Sequence, residues 1–152
     1  MDNIDRNIAK ILQKDGRTPS SEIAEAVGTS VSTANERVRR LVSTENITAT
    51  RAILNPDALG ASLCAFILVD MDYTGEAAAK AHLAQRPEVM ELHHVSGGHS
   101  YLVKVRVADT AAMQRFLQME LKPLKAVTHT ETLIVLETAK ETTEILISDK
   151  AK

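Results

Sequence analysis

One cysteine, no tryptophan, two tyrosines and two phenylalanines stand in 152 residues. Each scarcity removes a class of protein. The lone Cys64 cannot close an internal disulfide, and within the apolar stretch Leu63 to Val69 it reads as a small core residue. That usage fits a reducing compartment, so a cytoplasmic protein is expected. Four aromatic rings cannot furnish both a core and a base-stacking platform, which weighs against single-stranded nucleic acid as a ligand. No apolar run approaches the roughly 20 residues of a membrane-spanning helix. The start, Met1-Asp2-Asn3-Ile4-Asp5, lacks the basic-then-apolar order of an export signal, so no membrane association is expected.

Charge of one sign is also missing. The net charge is −2, so attraction to a polyanion must come from a local patch rather than the overall field. Residues 1–60 balance eight Lys and Arg against eight Asp and Glu, and residues 61–152 set ten against twelve. No Gly-x-Ser-x-Gly elbow, phosphate loop or dinucleotide fingerprint occurs, and neither an enzyme nor a cofactor is expected. The five histidines, His82, His93, His94, His99 and His129, show no helical ligand spacing, and no cysteine pair accompanies them. His93 and His94 are strand neighbours pointing to opposite faces, so no metal site is expected. Asp70 and Asp72 share one strand face and read as a solvated strand end. Asp149 to Lys152 is the one stretch expected to lack order.

What is present begins with helical periodicity. Ile4, Ile8, Ile11 and Leu12 make one apolar stripe, ended by Asp15-Gly16. Thr18 is placed to cap a second helix, with Pro19 at its first position, and Ile23, Ala24 and Val27 as its stripe. Gly28 supplies a tight turn. Ser30 caps a third helix whose buried face is Val31, Ala34, Val38 and Leu41. Three helices with such a turn make a helix-turn-helix. Ile47 to Leu54 alternates and is rich in β-branched residues, which predicts a strand or strand pair, a wing. Asn55-Pro56 and Gly60 mark a boundary. The division expected is 1–46 for the helix-turn-helix, 47–60 for a connecting strand and hinge, and 61–152 for a second domain.

That second domain reads as strand Leu63 to Met71, helix Glu76 to Gln85, strand Val89 to Ser96, a Gly-Gly turn, strand Tyr101 to Val107, helix Ala111 to Leu121, strand Thr130 to Leu136, and a further strand Glu144 to Ser148. The order βαββαβ is the ferredoxin-like split unit, so the class is α+β. Helices cover one face of such a sheet, yet Leu63 to Val69 and Leu133 to Leu136 are apolar on both faces. The other face therefore needs a cover, and a second copy of the domain is expected there, giving at least a homodimer.

The exposed face of the third helix carries candidate contacts to double-stranded DNA. Ser32, Thr33, Asn35 and Glu36 near its N-terminus are placed for base edges, with the cap Ser30 beside them. Arg37, Arg39 and Arg40 are placed for phosphates. In the second domain, Gly97-Gly98-His99-Ser100-Tyr101 has binding character: two glycines let backbone amides approach a carboxylate, and His99 adds a donor. A plain hairpin turn is the competing reading.

Several segments together resemble one family. "NIDRNIAKILQKDGR", "EIAEAVGTSVST" and "ERVRRL" are similar to the DNA-binding half of the Lrp/AsnC, or feast/famine, regulators. "AILNPDALG" looks like their hinge, and "VSGGHSYLVKV" like the turn between the second and third strands of their sensing domain. The resemblance spans nearly the whole chain. It implies a transcription regulator that binds DNA as a dimer, commonly assembles into octamers, and takes an amino-acid effector between dimers near that turn. Gly97, Gly98, His99, Ser100, Tyr101 and Ile134 become the effector residues. The family turn carries an aspartate where Ser100 stands here, and a serine brings no charge to an ammonium group. The resemblance keeps two alternatives open: a tetrapyrrole decarboxylase of the same architecture, and an effector-independent architectural protein.

Overall fold

The computed structural model describes residues 1–148; the expectation for Asp149 to Lys152 lies outside them. The chain forms two compact units, one comprising Met1–Ile53 together with the segment from Lys140 onward, the other Leu54–Ala139. Among the described residues no helix is long and apolar enough to cross a membrane.

The first unit holds α1 (Asn3–Lys14), α2 (Ser20–Val27) and α3 (Val31–Ser43). Ile8, Ile23, Ala24, Ala34 and Leu41 are buried together, with Ile4, Leu12, Val38 and Ile47 packed at their edge. Asp2 caps α1 by accepting the Asp5 N–H at 2.9 Å. Gly28 ends α2 at φ 69°. The Thr29 N–H bonds the Ala24 carbonyl at 2.9 Å and the Gly28 N–H reaches the Glu25 carbonyl at 3.3 Å, a paired closure that requires the left-handed residue between them. Ser30 caps α3 by accepting the Thr33 N–H at 3.2 Å.

Three local expectations are corrected here. Thr18 does not cap α2: its hydroxyl donates to the Asp15 carbonyl at 2.8 Å, and Pro19 takes the cap position in extended backbone. Pro19 itself stands at ψ 148°, outside the helical region, so the helix starts one step later. Val31 is 47% exposed, because the buried stripe of α3 begins only at Ala34. Ile47 to Leu54 forms no strand, and Ile53 is 89% exposed. Alternation suits a ladder but does not supply one, and among the described residues no strand pairs with it.

The second unit holds β1 (Leu63–Met71), α4 (Glu76–Ala84), β2 (Val89–His94), β3 (Tyr101–Val107), α5 (Thr110–Phe116) and β4 (Val127–Ile134). The antiparallel sheet runs β2-β3-β1-β4, the ferredoxin-like order. Ala65, Ile67 and Val69 of β1 and Val103, Val105 and Val107 of β3 are buried with Leu83, Met113, Phe116 and Leu121. The predicted helix Ala111 to Leu121 is not uniform. Beyond Phe116 it widens into one π-type turn, Leu117–Leu121, closed by the Lys122 N–H on the Leu117 carbonyl at 2.9 Å. β2 stops two residues short of the predicted end, and β4 lies nearer the N-terminus than expected. The fifth strand, Glu144 to Ser148, is absent, and that segment instead meets α1 of the first unit.

The sheet face away from the helices is mixed. Phe66 and Leu68 are half-buried there and Leu133 is exposed. Lys104 bridges to Glu91 at 3.1 Å on the same face.

Candidate nucleic-acid interface and effector turn

The eight residues assigned to DNA divide into two groups. Ser32, Thr33, Glu36 and Arg39 are exposed along one side of α3. Ser30 joins them through hydroxyl contacts of 3.0 Å to Ser32 and 2.8 Å to Thr33. Asn35 is turned inward: its side-chain oxygen accepts the Ser20 hydroxyl at 2.6 Å, fixing the start of α2 on α3. Arg37 donates to Asp2 at 2.7 Å and to Asp5 at 2.9 Å, and Arg40 donates to Asp5 at 2.7 Å. Two of the three arginines therefore hold α1 to α3. Asp5 is a charged residue buried to 3% exposure. The Asp5 N–H and then the Arg37 guanidinium keep the Asp2 carboxyl below its ordinary pKa, and Asp2 and Asp5 raise that of Arg37.

Such a helix can do two things chemically. Its hydroxyls and Glu36 offer donors and acceptors at the spacing of base edges, and Arg39, which makes no ion pair among the described residues, offers a two-pronged donor to guanine or phosphate.

In the second unit, the hairpin between β2 and β3 is closed by the Val95 N–H on the Ser100 carbonyl at 3.0 Å. Gly97 sits at φ 136°, and open space lies where side chains of Gly97 and Gly98 would stand. Tyr101 is buried, donates its hydroxyl to Glu76 at 2.7 Å and stacks on His94 at 4.9 Å. The Glu76 contact, with burial, raises the Tyr101 pKa. Ile134 is not brought to this turn. Opposite Ala65, it lies five residues along β1 from the Asp70–His129 pair, roughly 16 Å away at strand rise.

Sequence reasoning missed Asp70, read only as a solvated strand end. Its carboxylate accepts the Ser100 N–H at 3.1 Å and lies 3.2 Å from His99 Nδ1. Burial alone would raise the Asp70 carboxyl; the bonds from His99 and Ser100, with the nearby His99 and His129, outweigh it and hold the pKa below the ordinary value. The antiparallel pairing of β1 with β3, ending Val69 opposite Tyr101, was the signal that could have found it. The cluster extends to His129, whose ring lies 6.2 Å from that of His99, and to Glu131, 3.9 Å from His99 Nε2.

A helix-turn-helix followed by a ferredoxin-like domain is an architecture that transcription regulators with a separate ligand-binding domain use. The chain belongs to the Lrp/AsnC family: its first part matches the AsnC-type helix-turn-helix domain over residues 1–42, and its second the Lrp/AsnC ligand binding domain over residues 64–145. It is 40% identical over 147 residues to the HTH-type transcriptional regulator FL11 of Pyrococcus abyssi, covering 97% of each chain. It is 37% identical to the leucine-responsive regulatory protein of Salmonella typhimurium, covering 99% of this chain and 93% of that one. Among solved structures, the feast or famine regulatory protein of M. tuberculosis, complexed with L-methionine, superposes with a TM-score of 0.89 at 35% identity, covering 97% of this chain and 99% of that one.

Proposed function

We propose that this regulator is a sequence-specific binder of double-stranded DNA whose DNA binding or assembly is set by an amino acid at the turn Gly97 to Tyr101. Residues 1–46 bind DNA, 47–60 form the hinge, and 61–152 sense the effector and oligomerise. It acts in the cytoplasm as a homodimer that assembles further, the octamer being the form the family favours. We assign it no catalytic step, in keeping with relatives named as transcriptional regulators.

The observation that carries the DNA reading is the division of labour on α3. Arg37, Arg40 and Asn35 are engaged within the unit, while Ser32, Thr33, Glu36 and Arg39 face outward together. A dimer presenting two such helices reads half-sites about 10 base pairs apart or a multiple of that. The effector reading is supported by the glycine turn and by the L-methionine in the M. tuberculosis relative. The half-exposed apolar residues Phe66, Leu68 and Leu133 support a second copy against the open sheet face.

The test has two parts. Fluorescence anisotropy on the protein's own promoter gives its affinity, and a thermal-shift screen against the twenty amino acids, with light scattering alongside, finds the effector. Binding of random DNA as tight as promoter DNA refutes sequence specificity. A stable promoter-binding oligomer that no amino acid shifts refutes the effector reading and leaves a constitutive architectural protein.

A further inference from the structure

The β2–β3 turn carries no carboxylate of its own, yet one is held in it. Asp70 reaches in from the end of β1, with one oxygen 3.1 Å from the Ser100 N–H and the other 3.2 Å from His99 Nδ1. Its side chain remains 29% exposed. Closing the hairpin does not require it, because Val95 and Ser100 already do so through the backbone. An ionised carboxylate offers about four acceptor positions, and these two contacts leave about half of them.

An α-amino acid is a zwitterion and needs opposite recognition at its two ends. The open backbone of Gly97 and Gly98 suits the carboxylate end. The ammonium end needs an acceptor with charge, since charge-assisted bonds are roughly twice as strong as neutral ones. Ser100 cannot provide that charge. Asp70 can, at the same turn. Glu131 is more distant, 3.9 Å from the far side of the His99 ring.

We propose that Asp70 is the anionic contact for the α-ammonium of the effector, so that this turn selects α-amino acids over the matching hydroxy or keto acids. The inference rests on the reading of the turn as the effector site. It makes Asp70, thirty residues from Ser100 in sequence, a specificity-determining residue that the turn itself does not contain.

The experiment compares two ligands on two proteins by calorimetry. L-methionine is the first probe, followed by any amino acid that the thermal-shift screen finds, each paired with its 2-hydroxy acid, in which a hydroxyl replaces the ammonium. The unaltered protein is expected to bind the amino acid more tightly than the hydroxy acid. Asp70→Asn keeps the shape and removes the charge. It is expected to lose on the order of 10- to 100-fold in affinity for the amino acid, with little change for the hydroxy acid. Asp70→Glu, which restores the charge, is expected to recover part of the loss. Equal affinity of the unaltered protein for both ligands overturns the proposal without any variant. So does undiminished amino-acid binding by Asp70→Asn, which leaves the effector site standing but moves the ammonium contact elsewhere. An equal loss for both ligands makes Asp70 a brace for the turn and also overturns it. If none of the twenty amino acids binds the unaltered protein, the reading of the turn falls together with this one.

Discussion

Asp5 accepts a 2.7 Å hydrogen bond from Arg40 across 35 residues of sequence, and the same carboxylate takes a second bond from Arg37. α1 therefore acts as a clamp on the recognition helix rather than as packing alone. Removing the clamp has a defined cost. Asp5→Ala leaves Arg40 without its acceptor and Arg37 with Asp2 alone, but both can turn to water, since their side chains are 55% and 22% exposed. The penalty is therefore the lost charged bonds, about 1–3 kcal/mol, rather than that of a stranded buried charge. Urea denaturation of the full chain checks it. A loss below about 0.5 kcal/mol, the size of an ordinary surface substitution, contradicts the clamp.

The arginines then separate by experiment. Arg39→Ala is expected to weaken promoter binding and to lower the slope of log affinity against log salt by about 1, the signature of one lost phosphate contact. Loss at one base position only, with an unchanged salt slope, instead assigns Arg39 to base readout. Arg37→Ala is expected to lower stability along with affinity, because its partners are Asp2 and Asp5. Stability and anisotropy titrations at several salt concentrations distinguish the two variants.

Much of this was legible from spacing. Stripes at helical period located α1 to α3, and the apolar run of β1 and the stretch after the Gly-Gly turn located β1 and β3 to the residue. Those signals are local: each residue's environment follows from its own neighbours in sequence. Ile47 to Leu54 and Glu144 to Ser148 carry the same β-branched signal but find no ladder, because pairing depends on what lies alongside. Asp70 escaped for a related reason. Its value comes from Ser100 and His99, which only the antiparallel register of β1 and β3 brings to it. The roles of Arg37 and Arg40 were hidden likewise, since an exposed basic run looks the same whether or not acids on another helix have claimed it.

Gly28 is the position where backbone conformation alone decides the residue. At φ 69° a side chain meets no atom within 4 Å, so any penalty of Gly28→Ala is conformational. The left-handed region costs a non-glycine residue about 1–2 kcal/mol. Stability is expected to fall by that amount, and the β2–β3 turn should keep its amide shifts. A larger loss means that the connection between α2 and α3 has rearranged.

Acid should loosen the β2–β3 turn at a lower pH than a free carboxylate titrates. Against the opposing effect of burial, His99 and the Ser100 N–H hold the folded Asp70 carboxyl below its ordinary value. The unfolded chain therefore takes up the proton first as pH falls. The contribution of Asp70 is fully present above the unfolded pKa and is lost as pH drops through the folded one. The Ser100 amide, followed by NMR, is expected to titrate with a midpoint below that of an ordinary aspartate, and Asp70→Asn should abolish the transition. A midpoint at or above the ordinary value means that burial outweighs the hydrogen bonds.

The segment after Lys140 supplies the last prediction. The Gln13 side-chain amide grips the backbone of Ile145 from both sides, donating to its carbonyl at 2.9 Å and accepting its N–H at 3.2 Å. Arg6, seven residues earlier and so on the same side of α1, donates to the Ser148 carbonyl at 2.8 Å. The side chains add little to this attachment, since Ile145 and Leu146 are largely exposed. The docking is thus polar and directed at backbone, and each bond is solvent-exposed, so Gln13→Ala should change global stability by less than about 1 kcal/mol. Its local effect should be larger. The Ile145 N–H loses its acceptor, and its hydrogen exchange is expected to approach the rate of an unprotected amide, while amides in β1 and β3 are unaffected. If Ile145 exchanges at the same rate in the variant, something other than Gln13 holds this segment to α1.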